Sequence, residues 1–191
     1  MDDNPWHLRD LFMGHFAVTE EAENRFRFAE LISREGPGLA GAWSEGMKIR
    51  LLNWSAVMED SSIHLEAKDG PLKLDLVLKP RKPLVFHGNN GLSMKGDGTG
   101  QASFYTSFTD IATEGSIRIE TNGPAIPVRG TSWFDQEFGS NVLSPDQVGW
   151  DWFGIHFDNL KGPVPMCSVM ILSLNFSTCS FLKMTSFWLL A

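Results

Sequence analysis

Residues 62–78 read SIHLEAKDGPLKLDLVL. Ile63, Leu65 and Ala67 alternate with His64, Glu66 and Lys68, and Leu72, Leu74 and Leu76 alternate with Lys73 and Asp75. A period of two puts one set of side chains on one face of an extended chain and the other set on the opposite face. Between the two runs, Asp69-Gly70-Pro71 supplies turn chemistry, so the stretch predicts two antiparallel strands joined by a tight connection.

Outward from this hairpin the same signal recurs. Segments 25–31, 47–56, 102–108, 115–120, 131–138 and 150–157 read as further strands, separated by Gly, Pro, Asn and Asp clusters. Residues 20–34 offer the best helical alternative, but their RFRF run (25–28) alternates as a strand does. The expectation is an all-β chain, an antiparallel meander closing as a sandwich or barrel. GNNG (88–91) and GDGTG (96–100) fit as turns needing positive φ. GDGTG lacks the Lys-Ser/Thr of a phosphate-cradling loop, and no helix is predicted after it.

Composition narrows the function classes. The 191 residues are 42% hydrophobic, enough for a substantial core, and the net charge of −7 shows no basic stripe for a nucleic-acid partner. Two cysteines, Cys167 and Cys179, give no disulfide framework. The five histidines lack paired ligand spacing, so neither a metal nor another cofactor is expected. The opening MDDNPWHLRD is acidic and has no export-signal pattern, which leaves location undetermined. Residues 166–191 carry one charged side chain, Lys183, with five serines, two threonines and Asn175. That tail is long enough for a membrane-inserting segment but polar for one, and SVMILSLNF (168–176) is also compatible with a strand.

The stretch with chemical content is GTSWFDQEFGS (130–140), echoed by GWDWFGIHFD (149–158). In a strand, Trp133, Asp135 and Glu137 share one face, and Phe134, Gln136 and Phe138 share the other. Trp150, Trp152 and His156 share a face of the following segment. Antiparallel pairing of the two would join these faces into an aromatic pocket with acids inside it. A carboxyl buried beside indole rings tends to hold its proton, as a general acid must, and aromatic faces stabilise a cation. The combination suits protonation of an alkene followed by addition of water. On the residues alone a structural role has the larger share, because acids among aromatics often serve as buried hydrogen-bonding groups. His87 and Tyr105 are open to both readings. No GxSxG motif supports a hydrolytic triad.

The patterns HG-x-x-G-x-S-x-K-G (His87 to Gly96), S-x-Y-x-S (Ser103 to Ser107), W-x-D-x-E-x-G (Trp133 to Gly139) and GWDWF (Gly149 to Phe153) resemble the AttH-like, carotenoid 1,2-hydratase-like (hydroxyneurosporene synthase) family. The likeness runs from about Phe16, through GLAGAW (38–43), to about Asn159. It implies a lipocalin-like antiparallel β-barrel from a family with two such barrels, here incomplete and occupying residues 1–165, followed by an unmatched tail at 166–191. It implies an apolar isoprenoid or polyketide-like ligand and, in some members, hydration of an alkene. Carried over by position, Asp135 becomes the proton donor. Trp133, Glu137, Trp150 and Trp152 shape the ligand site, with His87 and Tyr105 beside it. Gln136 stands where several hydratase members carry histidine. A non-catalytic carrier of a hydrophobic ligand, or an inactive fragment, is the alternative.

Overall fold

The computed structural model describes residues 10–43, 46–139, 152 and 154, together with the backbone of 188–190. Every described regular element is a strand: β1 (Leu11–Glu20), β2 (Arg25–Arg34), β3 (Ala40–Trp43), β4 (Lys48–Leu51), β5 (Trp54–Glu59), β6 (Ser62–Asp69), β7 (Leu72–Pro80), β8 (Val85–Phe86), β9 (Leu92–Met94), β10 (Ala102–Arg118), β11 (Ile126–Phe138) and β12 (Trp188–Leu190). The sheets are antiparallel, with hydrogen-bonded orders β12-β1-β2 and β11-β10-β7-β6-β5-β4-β3, and β8 and β9 also pair with β10. The all-β expectation is met, and the described strands do not close into a barrel. Among the described residues no helix is long and apolar enough to cross a membrane, which says nothing of crossing by strands.

The chain divides into two compact units. The first comprises residues 1–79, 112–130 and 181–191, and the second residues 80–111 and 131–180.

In the first unit the predicted hairpin forms at 62–78, with Ile63 opposite Leu78 and Asp69 opposite Leu72. Gly70 takes φ +52° at the turn. Ile63, Leu65, Ala67, Leu72, Leu74, Leu76 and Leu78 are all buried, so one face of this pair is core. Each such leucine contributes roughly 1.5–3 kcal/mol relative to exposure, which outweighs any local preference. The predicted strand 47–56 is instead two, β4 and β5. Leu52 turns left-handed at φ +55°, and the Asn53 side-chain amide donates to the Lys68 carbonyl at 3.0 Å. Asp60 and Ser61 both have positive φ, the geometry a two-residue hairpin turn requires between β5 and β6.

Residues 11–20 carry a strand that the alternation did not pick out. Their inward positions are Phe12, Gly14, Phe16 and Val18, and Gly14 hides the period. Glycine is needed there because a Cβ would meet Leu51 Cδ2 at 2.8 Å and the Trp54 ring at 3.1 Å. Trp54 itself is buried, edge-on to Phe16 at 5.9 Å, and its indole N–H donates to the Lys68 carbonyl at 2.9 Å. Residues 20–34 are not helical. They form the turn and second arm of a hairpin with ten-residue arms, in which Arg25 and Arg27 bind Glu20. The tail does supply a strand, β12, on Met13–His15 of β1. Segment 168–176 lies outside the described residues.

Segments 102–108 and 115–120, read as separate strands, fall on one 17-residue strand, β10, which ends at Arg118. Along it the buried alternate positions 103, 105, 107, 109, 111 and 113 are Ser, Tyr, Ser, Thr, Ile and Thr, and Thr106 of the other row is buried as well. The period of two is present, but its buried side is largely polar, which inverts the usual pattern. β11 begins five residues earlier than expected, at Ile126, and tolerates Pro127 because it lies at the end of its sheet.

The second unit contains β8, β9, the first part of β10 and the last part of β11. Ser107 lies opposite Val85, and Ser103 opposite Ser93. Gly88, Asn90 and Gly91 all have positive φ, as expected of a turn in GNNG. Arg81 ties the entry to this unit. Its backbone N–H donates to the Asp110 carbonyl at 2.8 Å, and its guanidinium binds the Asp110 carboxylate and Thr131 Oγ1.

Candidate functional site

β10 presents Ser103, Tyr105, Ser107 and Thr109 inward, each no more than 4% exposed. The equivalent row of β7 is entirely leucine. Buried hydroxyls are costly without partners, so a row of them marks a face built for polar contacts. Those contacts come from β11, from the 87–95 segment and from Trp152.

Asp135 is half-buried and receives the Trp133 indole N–H at 2.7 Å and the Ser107 hydroxyl, both on the same carboxylate oxygen, Oδ1. Tyr105 also hydrogen-bonds this carboxylate. The residues two apart on β11 therefore act together, as a shared strand face requires. The opposite face carries Phe134 against Phe108 and Phe138 against Phe104.

Glu137, farther along the face, accepts from Ser103 and pairs with the Lys95 ammonium at 2.6 Å. Lys95 is only 1% exposed, and its ammonium also lies 5.1 Å from the Tyr105 ring centroid. An ammonium taken so far from water needs such partners.

His87 is held at the mouth of the GNNG turn. Its backbone N–H donates to the Tyr105 carbonyl at 3.0 Å, and the Tyr105 N–H donates to the Gly91 carbonyl at 2.8 Å. Its ring stacks on Tyr105 with centroids 4.1 Å apart, and Nε2 lies 2.6 Å from Ser107 Oγ. Burial pulls the His87 pKa below the ordinary 6.5; the Asp135 charge opposes this, the Lys95 charge adds to it, and the Glu137 charge opposes it. Burial, and next the negative charge of Asp135, push the Tyr105 hydroxyl up to about 12.

Trp152 donates its indole N–H to the Tyr105 hydroxyl at 3.1 Å and meets Trp133 edge-to-face at 5.6 Å. The structure thus brings together six of the expected residues: Asp135, Trp133, Glu137, His87, Tyr105 and Trp152. Trp150, and with it the pairing of segment 150–157, lies outside the described residues. Three members of the network, Lys95, Ser103 and Ser107, were not singled out from the sequence. The signal lay in the S-x-Y-x-S alternation, where serines occupy positions that a core strand would fill with aliphatic side chains. Among the described residues no three His, Cys, Asp or Glu side chains gather as metal ligands.

Fold and site define an antiparallel β protein with a hydroxyl-lined inner face, a carboxylate held by an indole, and stacked aromatic rings around it. The AttH-like family model matches residues 1–162, and the chain belongs to that family. The match extends past both ends of the resemblance read from the motifs. A crystal structure assigned as an AttH from Nitrosomonas europaea is similar over 77% of this chain, with 31% identity and a TM-score of 0.68. The matched region covers 46% of that chain. No curated protein matches.

Proposed function

We propose that this chain forms a ligand-binding, lipocalin-like portion of an alkene-hydratase-like protein, acting on an apolar isoprenoid or polyketide-like molecule. Residues 1–165 constitute that portion, followed by the tail 166–191, whose β12 pairs with β1. The observation that carries the reading is Asp135, fixed by Trp133 and Ser107 with the rings of Trp133, Tyr105, Trp152 and His87 assembled in the same network.

In the proposed reaction the carboxylic proton of Asp135 adds to one alkene carbon, the π pair forming the new C–H bond. The neighbouring carbon becomes a cation, which the aromatic faces stabilise. Water adds there and gives up one proton to the protein, which restores the Asp135 acid, so the net change is one water added. Incubating the protein with geranylacetone, an acyclic isoprenoid, in H2(18)O tests this. A tertiary alcohol carrying the heavy oxygen is expected. Binding of the isoprenoid with no alcohol formed would favour the second reading.

That second reading is a non-catalytic carrier of hydrophobic ligands. It is supported by the number of donors on Asp135, which suit a carboxylate that organises the strand face.

A further inference from the structure

Ser107 connects Asp135 to His87. Its hydroxyl lies against Asp135 Oδ1 on one side, and its oxygen lies 2.6 Å from His87 Nε2 on the other. A serine carries a single hydroxyl proton. When Asp135 is a carboxylate it can only accept, so the proton of Ser107 points to it. The contact to His87 must then be made by an Nε2–H donating to Ser107 Oγ.

We infer that His87, Ser107 and Asp135 form a directed proton relay, in which His87 recharges the Asp135 carboxylate through the Ser107 hydroxyl. A proton arriving at Nδ1 makes His87 an imidazolium. Its Nε2 proton then passes to Ser107 Oγ as the serine's own proton passes to Asp135 Oδ1. His87 ends neutral, Ser107 is unchanged and Asp135 is a carboxylic acid. The overall step moves one proton and breaks no heavy-atom bond. Its catalytic meaning rests on the proton-donor reading of Asp135, whereas the connection itself does not.

The surroundings favour such a transfer. Ser107 is fully buried, so bulk water does not compete for its hydroxyl. The His87 ring is fixed by stacking on Tyr105 and by its own backbone bond to β10. The charged groups acting on His87 are Asp135 and Glu137 from β11 and Lys95 beyond β9. Burial, the largest influence, disfavours an imidazolium, and the Asp135 charge that favours one disappears once Asp135 takes the proton.

His87 acts here through another residue, so the test needs a readout beyond loss of activity. Long-range 1H–15N correlation spectra of the intact protein, at a pH where His87 is neutral, identify the tautomer. An Nε2–H tautomer with a slowly exchanging proton is expected, and an Nδ1–H tautomer overturns the relay. Ser107→Ala should remove the slow exchange and leave His87 coupled to Asp135 only through space, which shifts its titration. A titration of His87 unchanged by that substitution would also overturn it. Should Ser107→Ala not fold, the wild-type tautomer still decides. If the protein hydrates geranylacetone, Ser107→Ala should lower kcat by about 10- to 100-fold with KM little changed, within the range that general acid–base groups contribute. A correct tautomer with no turnover would retain the relay and remove the hydratase reading.

Discussion

Lys95 and Glu137 show how unequal two partners in one ion pair can be. The lysine side chain is 1% exposed and the glutamate 33%, so only the lysine depends on the pair for its solvation. Glu137→Gln leaves a buried ammonium without its carboxylate partner, a loss near the low end of the roughly 3–5 kcal/mol for breaking a buried pair. Lys95→Met keeps the aliphatic stem and leaves a carboxylate that water can reach, for about 1 kcal/mol, as for an ordinary hydrogen bond. Urea denaturation of the two variants should show Glu137→Gln as clearly the less stable. Equal losses would contradict the asymmetry. The sequence made Glu137 legible, as one of three like-faced residues on a strand. It left Lys95 obscure, because a lysine after a turn reads as solvated until a fold encloses it.

At the scale of elements, two glycines carry much of the geometry. Gly88 sits at φ +64° between His87 and β9, and a Cβ there would fall on the Leu92 carbonyl. Gly88→Ala therefore combines a left-handed penalty of about 1–2 kcal/mol with a backbone clash. It should displace His87 from Ser107 as well as lower the melting temperature, and the ring-proton shifts of His87 report the displacement. Gly115, at φ +154° in β10, lies against β7, where a Cβ would fall on the Asp75 carbonyl and 2.9 Å from Leu76 Cα. Gly115→Val should weaken the pairing of β10 with β7, read as faster amide exchange in β7. Strands with aliphatic inward rows, β6 and β7, were legible from alternation alone. β10 was read in two pieces because its inward row is mainly hydroxyls, and β1 was missed because close packing demands Gly14 in its row. In both cases tertiary contacts, the polar site and the Trp54 ring, chose the residues over strand propensity.

For the whole molecule, the shifted groups make stability depend on pH at both extremes. His87 has a folded pKa below its ordinary 6.5, so the unfolded chain binds its proton first. Its contribution is present above pH 6.5 and is lost as pH falls through the folded value. Tyr105 is raised from 10.0 to about 12, so its contribution is complete below pH 10 and is lost as pH rises towards 12. Urea midpoints across pH should fall on both sides. His87→Gln should flatten the acid limb and Tyr105→Phe the alkaline one, and unchanged limbs would contradict the burial of these groups. The family was legible from four short patterns. The extent of the match was not, since residues near the ends of the matched region carry no comparably distinctive motif.

The proposed function turns on Asp135 giving the proton that starts the reaction. Its most direct test compares wild type and Asp135→Asn in geranylacetone binding, by tryptophan quenching, and in heavy-oxygen incorporation from H2(18)O. Binding should persist within a few-fold and incorporation should fall by about 10²–10⁴-fold, the contribution of a general acid. Incorporation undiminished in Asp135→Asn would contradict it.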